Sequence, residues 1–119
     1  MDETSVKKGL LKKLTIGLAG KLFRVQPDVR LSVLFAKIIY ADIVVYDVDE
    51  KPLAVFEVKR YPQAWTIRKQ LDSSLGRTFE TQGVRYSVLT DGDDFWMWSQ
   101  ESREYLKTDF DNVLKTLKN

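Results

Sequence analysis

The residues of this sequence that could do chemistry are charged side chains at the ends of two neighbouring apolar stretches. Leu53 to Lys59 (LAVFEVK) is rich in β-branched and aromatic residues and predicts a strand. Because side chains alternate across a strand, Glu57 and Lys59 share one face, and Phe56 and Val58 share the other. An acid and a base on one face of an otherwise apolar strand indicate a role beyond packing.

A second strand supplies a partner for this pair. Ile43 to Val48 (IVVYDV) predicts the first arm of a β-hairpin that turns at Asp49 and Glu50. With a two-residue turn, the register places Asp42 directly opposite Glu57. Opposed residues of an antiparallel pair have Cβ atoms about 4.5–5.5 Å apart. Two carboxylates at that distance repel each other unless a cation lies between them.

The absence of His and Cys narrows the choice of cation. Thiolate and imidazole sites are excluded, as are the nucleophile pairs that depend on His. Mg²⁺ (or Mn²⁺) prefers oxygen ligands, and the carbonyl of Val58 could add one to the two carboxylates. Lys59 would then lie near an attacking water or a phosphate oxygen. An alternative is an exposed ladder of ion pairs from Asp42, Glu57 and Lys59, which would contribute little to stability.

Length and composition are those of one ordinary globular domain, which we expect to span residues 1–119. The chain is 44% hydrophobic and 30% charged, with a net charge of +2. That charge is low for a nucleic-acid module, although lysines crowd the first quarter of the chain. No apolar run is long enough to span a membrane and no signal peptide is visible, so we expect a soluble, cytoplasmic protein.

The elements around the hairpin predict a mixed sheet flanked by helices, with a parallel crossover after the hairpin. The order is helix, about three strands, helix, two strands, helix, with a short edge strand as an optional addition. The predicted helices run from Asp2 or Thr4 to about Gly20, from Ala64 to about Leu75, and from Asp109 or Asp111 through Leu117. The predicted strands outside the hairpin are Leu22–Gln26, ended by Pro27 and Asp28, then Arg30–Phe35, Val84–Thr90, Phe95–Ser99 and Tyr105–Lys107.

The charged motif resembles a known nuclease signature. Asp42 followed by Glu57-Val58-Lys59 is similar to the PD-(D/E)xK pattern. The segment YADIVVYDVDEKPLAVFEVKR, Tyr40 to Arg60, resembles the nuclease domain at the N-terminus of type I restriction endonuclease motor subunits. VRYSVLTDGDDFWMWS, Val84 to Ser99, is similar to the strand, turn and aromatic strand that follow in that family.

This resemblance implies an α/β, restriction-endonuclease-like fold and a Mg²⁺-dependent DNA endonuclease that hydrolyses phosphodiester bonds. By it, Asp42 and Glu57 would bind the metal and Lys59 would assist attack on the phosphate. Gln70 matches the family's helix Gln, which positions DNA or the metal site. Glu3 resembles an upstream Glu that joins the metal shell.

The sequence departs from the family pattern in two positions. Ala41 stands where the signature has Pro, and Ser74 stands where the family often has an aromatic residue. The motor domains are absent, so the resemblance implies a free-standing nuclease, cutting as a homodimer, or one piece of a system with helicase, translocase or other restriction subunits. Two alternatives stay open: a non-catalytic nuclease-fold module for DNA binding or protein contact, and an interaction domain without nucleic acid.

Overall fold

Six strands form one mixed sheet in the computed structural model, which describes residues 2–32, 38–59 and 83–119. Strand order follows chain order; β3 and β4 are parallel, and all other neighbours are antiparallel. The predicted mixed sheet is confirmed, whereas the predicted helix from Ala64 to Leu75 lies outside the described residues. The elements are α1 (Glu3–Gly17), β1 (Arg24–Ser32), β2 (Ile38–Tyr46), β3 (Pro52–Val58), β4 (Tyr86–Thr90), β5 (Phe95–Ser99), β6 (Tyr105–Thr108) and α2 (Phe110–Lys118).

Both described helices pack against the same face of the sheet. Val6, Leu10 and Leu14 of α1 and Val113 and Leu117 of α2 are buried in one cluster with the inward side chains of β2 to β5. These inward residues include Ala54, Phe56 and Val58, as the alternation along β3 predicts. Val44 and Val55 on the opposite face are also fully buried. None of the described helices has the length and apolar character that crossing a bilayer would require.

The two helices begin at capped positions and α1 ends earlier than predicted. Asp2 accepts a hydrogen bond from the Ser5 N–H at 2.8 Å, which satisfies one free donor of the first turn. Asp109 caps α2 in the same way. The predicted end of α1 at Gly20 is wrong, because the backbone already tightens at Ala19, whose N–H bonds the carbonyl of Ile16.

Strand β1 continues through the proline at which the sequence predicts its end. Pro27 pairs with Ile43, and the strand runs on to Ser32. The prediction is wrong because β1 lies at the edge of the described sheet, where a residue without an N–H can be accommodated. Asp28 adopts a left-handed backbone, with φ of 54°. The first residues of the predicted strand from Arg30 to Phe35 form the end of β1, and residues 33–37 lie outside the described part.

The β2–β3 hairpin has the predicted register but a different turn. Asp47 and Lys51 are joined by a hydrogen bond of 2.8 Å, so the loop has three residues, and Glu50 takes the left-handed conformation typical of such loops. A register shift beside Tyr46 then compensates for the longer loop. Ile43 consequently pairs with Phe56 as predicted.

Candidate metal centre

Asp42 is held in place by the backbone of the neighbouring strand. It stands one residue before Ile43 on β2, and therefore opposite Glu57 in the register of the hairpin. Its Oδ2 accepts a hydrogen bond of 2.7 Å from the N–H of Val58. Because that bond joins a side chain of one strand to the main chain of the next, the Asp42 carboxylate is fixed at the end of β3.

Glu57 presents an unsatisfied buried oxygen beside Asp42. Its Oε1 is the one buried side-chain polar atom among the described residues that has no hydrogen-bond partner. Leaving such a group unpaired costs about 1–3 kcal/mol, so buried polar atoms without partners are rare in folded proteins. An unpaired carboxylate oxygen at this position is the expected feature of a site that a cation completes.

The burial of Glu57 and its position beside Asp42 also change its pKa. Burial, followed by the negative charge of Asp42, raises the pKa of Glu57 to about 8. The positive charge of Lys59, a hydrogen bond from the backbone of Asp42 and the charge of Lys7 act in the opposite direction but are weaker. The ionised form of Glu57 is therefore disfavoured in the metal-free protein, and a bound cation would favour it.

Lys59 lies just beyond β3, beside the carboxylate pair. Its backbone N–H donates to the carbonyl of Thr90 at 2.8 Å, which ties it to the end of β4. Its side chain is half-buried, and its charge reaches Glu57. Asp42, Glu57 and Lys59 are thus brought together, as the hairpin register predicts. A ligand role for the Val58 carbonyl stays a prediction.

Of the remaining predicted site residues, Glu3 is not gathered with this pair. Glu3 is exposed at the start of α1. No three Asp, Glu, His or Cys side chains in the described ranges form a metal-binding group, so the place of Glu3 in a metal shell stays a prediction. Gln70 lies outside the described residues, and its role also stays a prediction.

One charged residue of the site was missed by the sequence analysis. Lys7 of α1 forms an ion pair with Asp28, and its pKa is raised by that contact first and by the charges of Asp42 and Glu57 after it. Its position four residues after Glu3, on the same face of a helix, was the available signal. That signal was hidden because Lys7 belongs to a run of lysines that is typical of a solvated helix face.

The donor set fits Mg²⁺ or Mn²⁺. Two carboxylates meet at the end of a hairpin, and one carboxylate oxygen lacks a partner. Hard divalent ions take one or two protein carboxylates together with waters and substrate phosphates. Asp42 and Glu57 would be the two carboxylate ligands of such an ion.

Solved structures share this fold. A cryo-EM structure of a DrdV–DNA complex matches 98% of this chain with a TM-score of 0.77 and 16% identity. A protein from Anabaena variabilis assigned as a nuclease of the group DUF820 matches 90% of this chain with a TM-score of 0.65 and 11% identity, over 66% of its own length. The type IIG restriction endonuclease BpuSI matches 83% of this chain with a TM-score of 0.58 and 24% identity.

The chain spans only 12% of the DrdV chain and 12% of the BpuSI chain. At these identities the likeness shows the fold, which is that of restriction-endonuclease-like nucleases, as the sequence analysis expected. No curated protein matches the sequence. The model of the family described as type I restriction enzyme R protein N terminus (HSDR_N) matches residues 2–112. The chain therefore belongs to the family of type I restriction enzyme R protein N-terminal domains.

Proposed function

We propose that this chain is a Mg²⁺-dependent DNA endonuclease domain that hydrolyses phosphodiester bonds. The observation that carries the proposal is the unpaired buried Oε1 of Glu57 beside Asp42, with Lys59 at the same strand end. Membership of a restriction-enzyme family supports phosphodiester chemistry. The DNA in the complex of the similar DrdV structure supports DNA as the substrate.

Asp42, Glu57 and Lys59 would have different roles in hydrolysis. Asp42 and Glu57 would hold the ion, with Asp42 oriented by the Val58 N–H. When bound, Mg²⁺ supplies Lewis-acid stabilisation of the phosphate and lowers the pKa of the attacking water. Lys59, anchored through its backbone to Thr90, places a positive charge where negative charge develops on the phosphate. No His is needed for this chemistry, which agrees with the composition.

Two further roles belong to the same proposal. Gln70 would position the DNA or the metal site, and Glu3 would reach the metal shell when DNA and metal are bound. Cleavage of both strands would require two copies of the domain or other subunits of a restriction system, since one such site cuts one strand at a time.

The proposal is tested with three variants and two measurements. Calorimetry with Mn²⁺ alone should show binding to the wild type, and Glu57→Gln should abolish it because one ligand charge is lost. Nicking of supercoiled plasmid DNA should require Mg²⁺ or Mn²⁺ and should be lost in Glu57→Gln. Lys59→Met keeps the length of the side chain but removes a positive charge beside the carboxylates, so it should bind Mn²⁺ at least as tightly as the wild type does and lose cleavage by at least about a hundredfold.

Glu101→Gln is the matched control, because Glu101 is an exposed carboxylate that pairs only loosely with Arg85 at 3.8 Å. This variant should bind metal and cut DNA as the wild type does. A wild-type protein that does not bind Mn²⁺ would contradict the proposal. A wild-type protein that binds metal and DNA without cutting in either ion would support the non-catalytic module instead.

A further inference from the structure

The acidic positions of the site extend onto a third strand. In the β1–β2 ladder, Pro27 pairs with Ile43 and Val29 pairs with Ala41, so Asp28 lies at the level of Asp42 although the two are not themselves a ladder pair. The positive φ of Asp28 interrupts the regular strand at this point. A left-handed backbone is uncommon for a residue other than Gly and turns the chain locally out of its regular path. The three strands β1, β2 and β3 therefore bring Asp28, Asp42 and Glu57 into one row.

Lys7 of helix α1 is a positively charged neighbour of these acidic residues. It forms an ion pair with the exposed Asp28, while its own side chain is only 24% exposed. Its charge also reaches Asp42 and Glu57, since both raise the pKa of Lys7 and Lys7 in turn lowers the pKa of Glu57. Lys8, its neighbour on the helix, is exposed. Lys7 therefore differs from an ordinary surface lysine in burial, in partner and in the charges around it.

We propose that Lys7 is an internal counter-cation of the Asp42–Glu57 pair, and that its ion pair with Asp28 keeps its ammonium to one side so that the two carboxylates stay open to a divalent ion. Lys7 and Asp28 are then positioning residues, acting through the charge that they present to the metal ligands. The metal part rests on the proposed function, whereas the ion pair of Lys7 with Asp28 and the electrostatic influence of Lys7 on the carboxylates do not.

The first test concerns the metal-free protein and uses a double-mutant cycle. Stability is measured by urea unfolding at pH 7.5 in EDTA for the wild type, Lys7→Met, Asp42→Asn and the double variant. Methionine keeps the packing of the lysine stem, and asparagine keeps an acceptor for the Val58 N–H. We expect Lys7→Met to raise the unfolding equilibrium constant several-fold more in the wild-type background than in the Asp42→Asn background. Equal effects in both backgrounds would overturn the counter-cation role.

The second test concerns the metal and uses Lys7, Asp28 and Mn²⁺ alone. Removing a nearby positive charge should tighten the calorimetric Kd for Mn²⁺ by about three- to tenfold in Lys7→Met, the size of an effect that moves a pKa by about half to one unit. Asp28→Asn should weaken Mn²⁺ binding, because the released ammonium is free to turn toward Asp42 and Glu57. The effect of Asp28→Asn on the Kd should be smaller in a protein that also carries Lys7→Met. Lys8→Met, with a normal Kd, is the matched control.

The outcomes separate the parts of the proposal. An unchanged Kd in Lys7→Met would overturn the counter-cation role toward metal. If Asp28→Asn weakened Mn²⁺ binding equally with and without Lys7→Met, Asp28 would act through its own charge alone. That result would overturn the proposal that Asp28 holds the ammonium of Lys7 to one side. A wild type that does not bind Mn²⁺ would contradict the proposed function, and the metal-free cycle would still decide whether Lys7 serves the carboxylates.

Discussion

A single carboxyl group, that of Glu57, links the fold of this domain to its proposed chemistry. Its pKa is about 8 in the folded chain, against 4.5 for an ordinary glutamate. The folded state therefore binds the proton more tightly than the unfolded state does. The contribution of this group to stability is complete below about pH 4.5 and is lost as the pH rises through 8.

This sign predicts how metal-free stability depends on pH. The free energy of unfolding of the wild type in EDTA should fall between pH 5 and pH 8 more steeply than that of Glu57→Gln, which cannot ionise. Urea unfolding at several pH values measures both slopes. Parallel curves for the two proteins would contradict the assignment of the raised pKa to Glu57.

The hydrogen bond between Asp42 and Val58 yields a second prediction at this scale. Asp42→Ala removes the acceptor and leaves the N–H of a residue that is only 3% exposed without its partner. We expect a loss of about 1–3 kcal/mol in the free energy of unfolding. Asp42→Asn retains an acceptor oxygen and should lose clearly less in the same urea titration. Equal losses would show that charge, rather than the hydrogen bond, fixes this residue.

At the scale of elements, helix α1 contains two glycines in different surroundings. A Cβ added at Gly9 meets nothing within 4 Å, whereas one added at Gly17 lies 2.8 Å from the side chain of Leu114 on α2. Gly9→Ala should raise the free energy of unfolding by about 1 kcal/mol through helix propensity. Gly17→Ala should gain less or lose stability, since Leu114 must move. Thermal unfolding of the two variants side by side would reveal whether they differ, and an equal gain would contradict this placement of α2.

The elements also show what can be predicted from sequence. The pairing of Asp42 with Glu57 was predictable because burial of Phe56 and Ile43 on one face fixes the register. The three-residue loop and the bulge were missed. Their effects on the register cancel, so the predicted pairing still holds. The course of β1 through Pro27 was missed because a sequence does not reveal that a strand lies at an edge. The ion pair of Lys7 with Asp28 was not predictable, because local patterns do not contain a contact between a helix and a distant strand.

At the scale of the whole molecule, ligand binding should appear as stability. An ion that binds only the folded chain raises the free energy of unfolding by about 2.7 kcal/mol at a concentration one hundred times its Kd. We therefore expect Mn²⁺ to raise the Tm of the wild type by several degrees, with no such rise for Glu57→Gln. Differential scanning calorimetry measures both, and Ca²⁺ provides a comparison with a larger ion. An equal rise in the variant would place the bound ion elsewhere on the chain.

The strand order has a consequence for how the domain acquires its site. Strands β1 to β3 and strands β4 to β6 form two antiparallel meanders, and the parallel β3–β4 pair is the only strand pairing that joins them in the described sheet. Contacts between chain neighbours form quickly, whereas a pairing across a long connection waits for the closure of that loop. Asp42 and Glu57 meet within the first meander, but the anchor of Lys59 on Thr90 spans both. We therefore expect the two carboxylates to come together early during folding, and the lysine to reach its place only when the two halves of the sheet join.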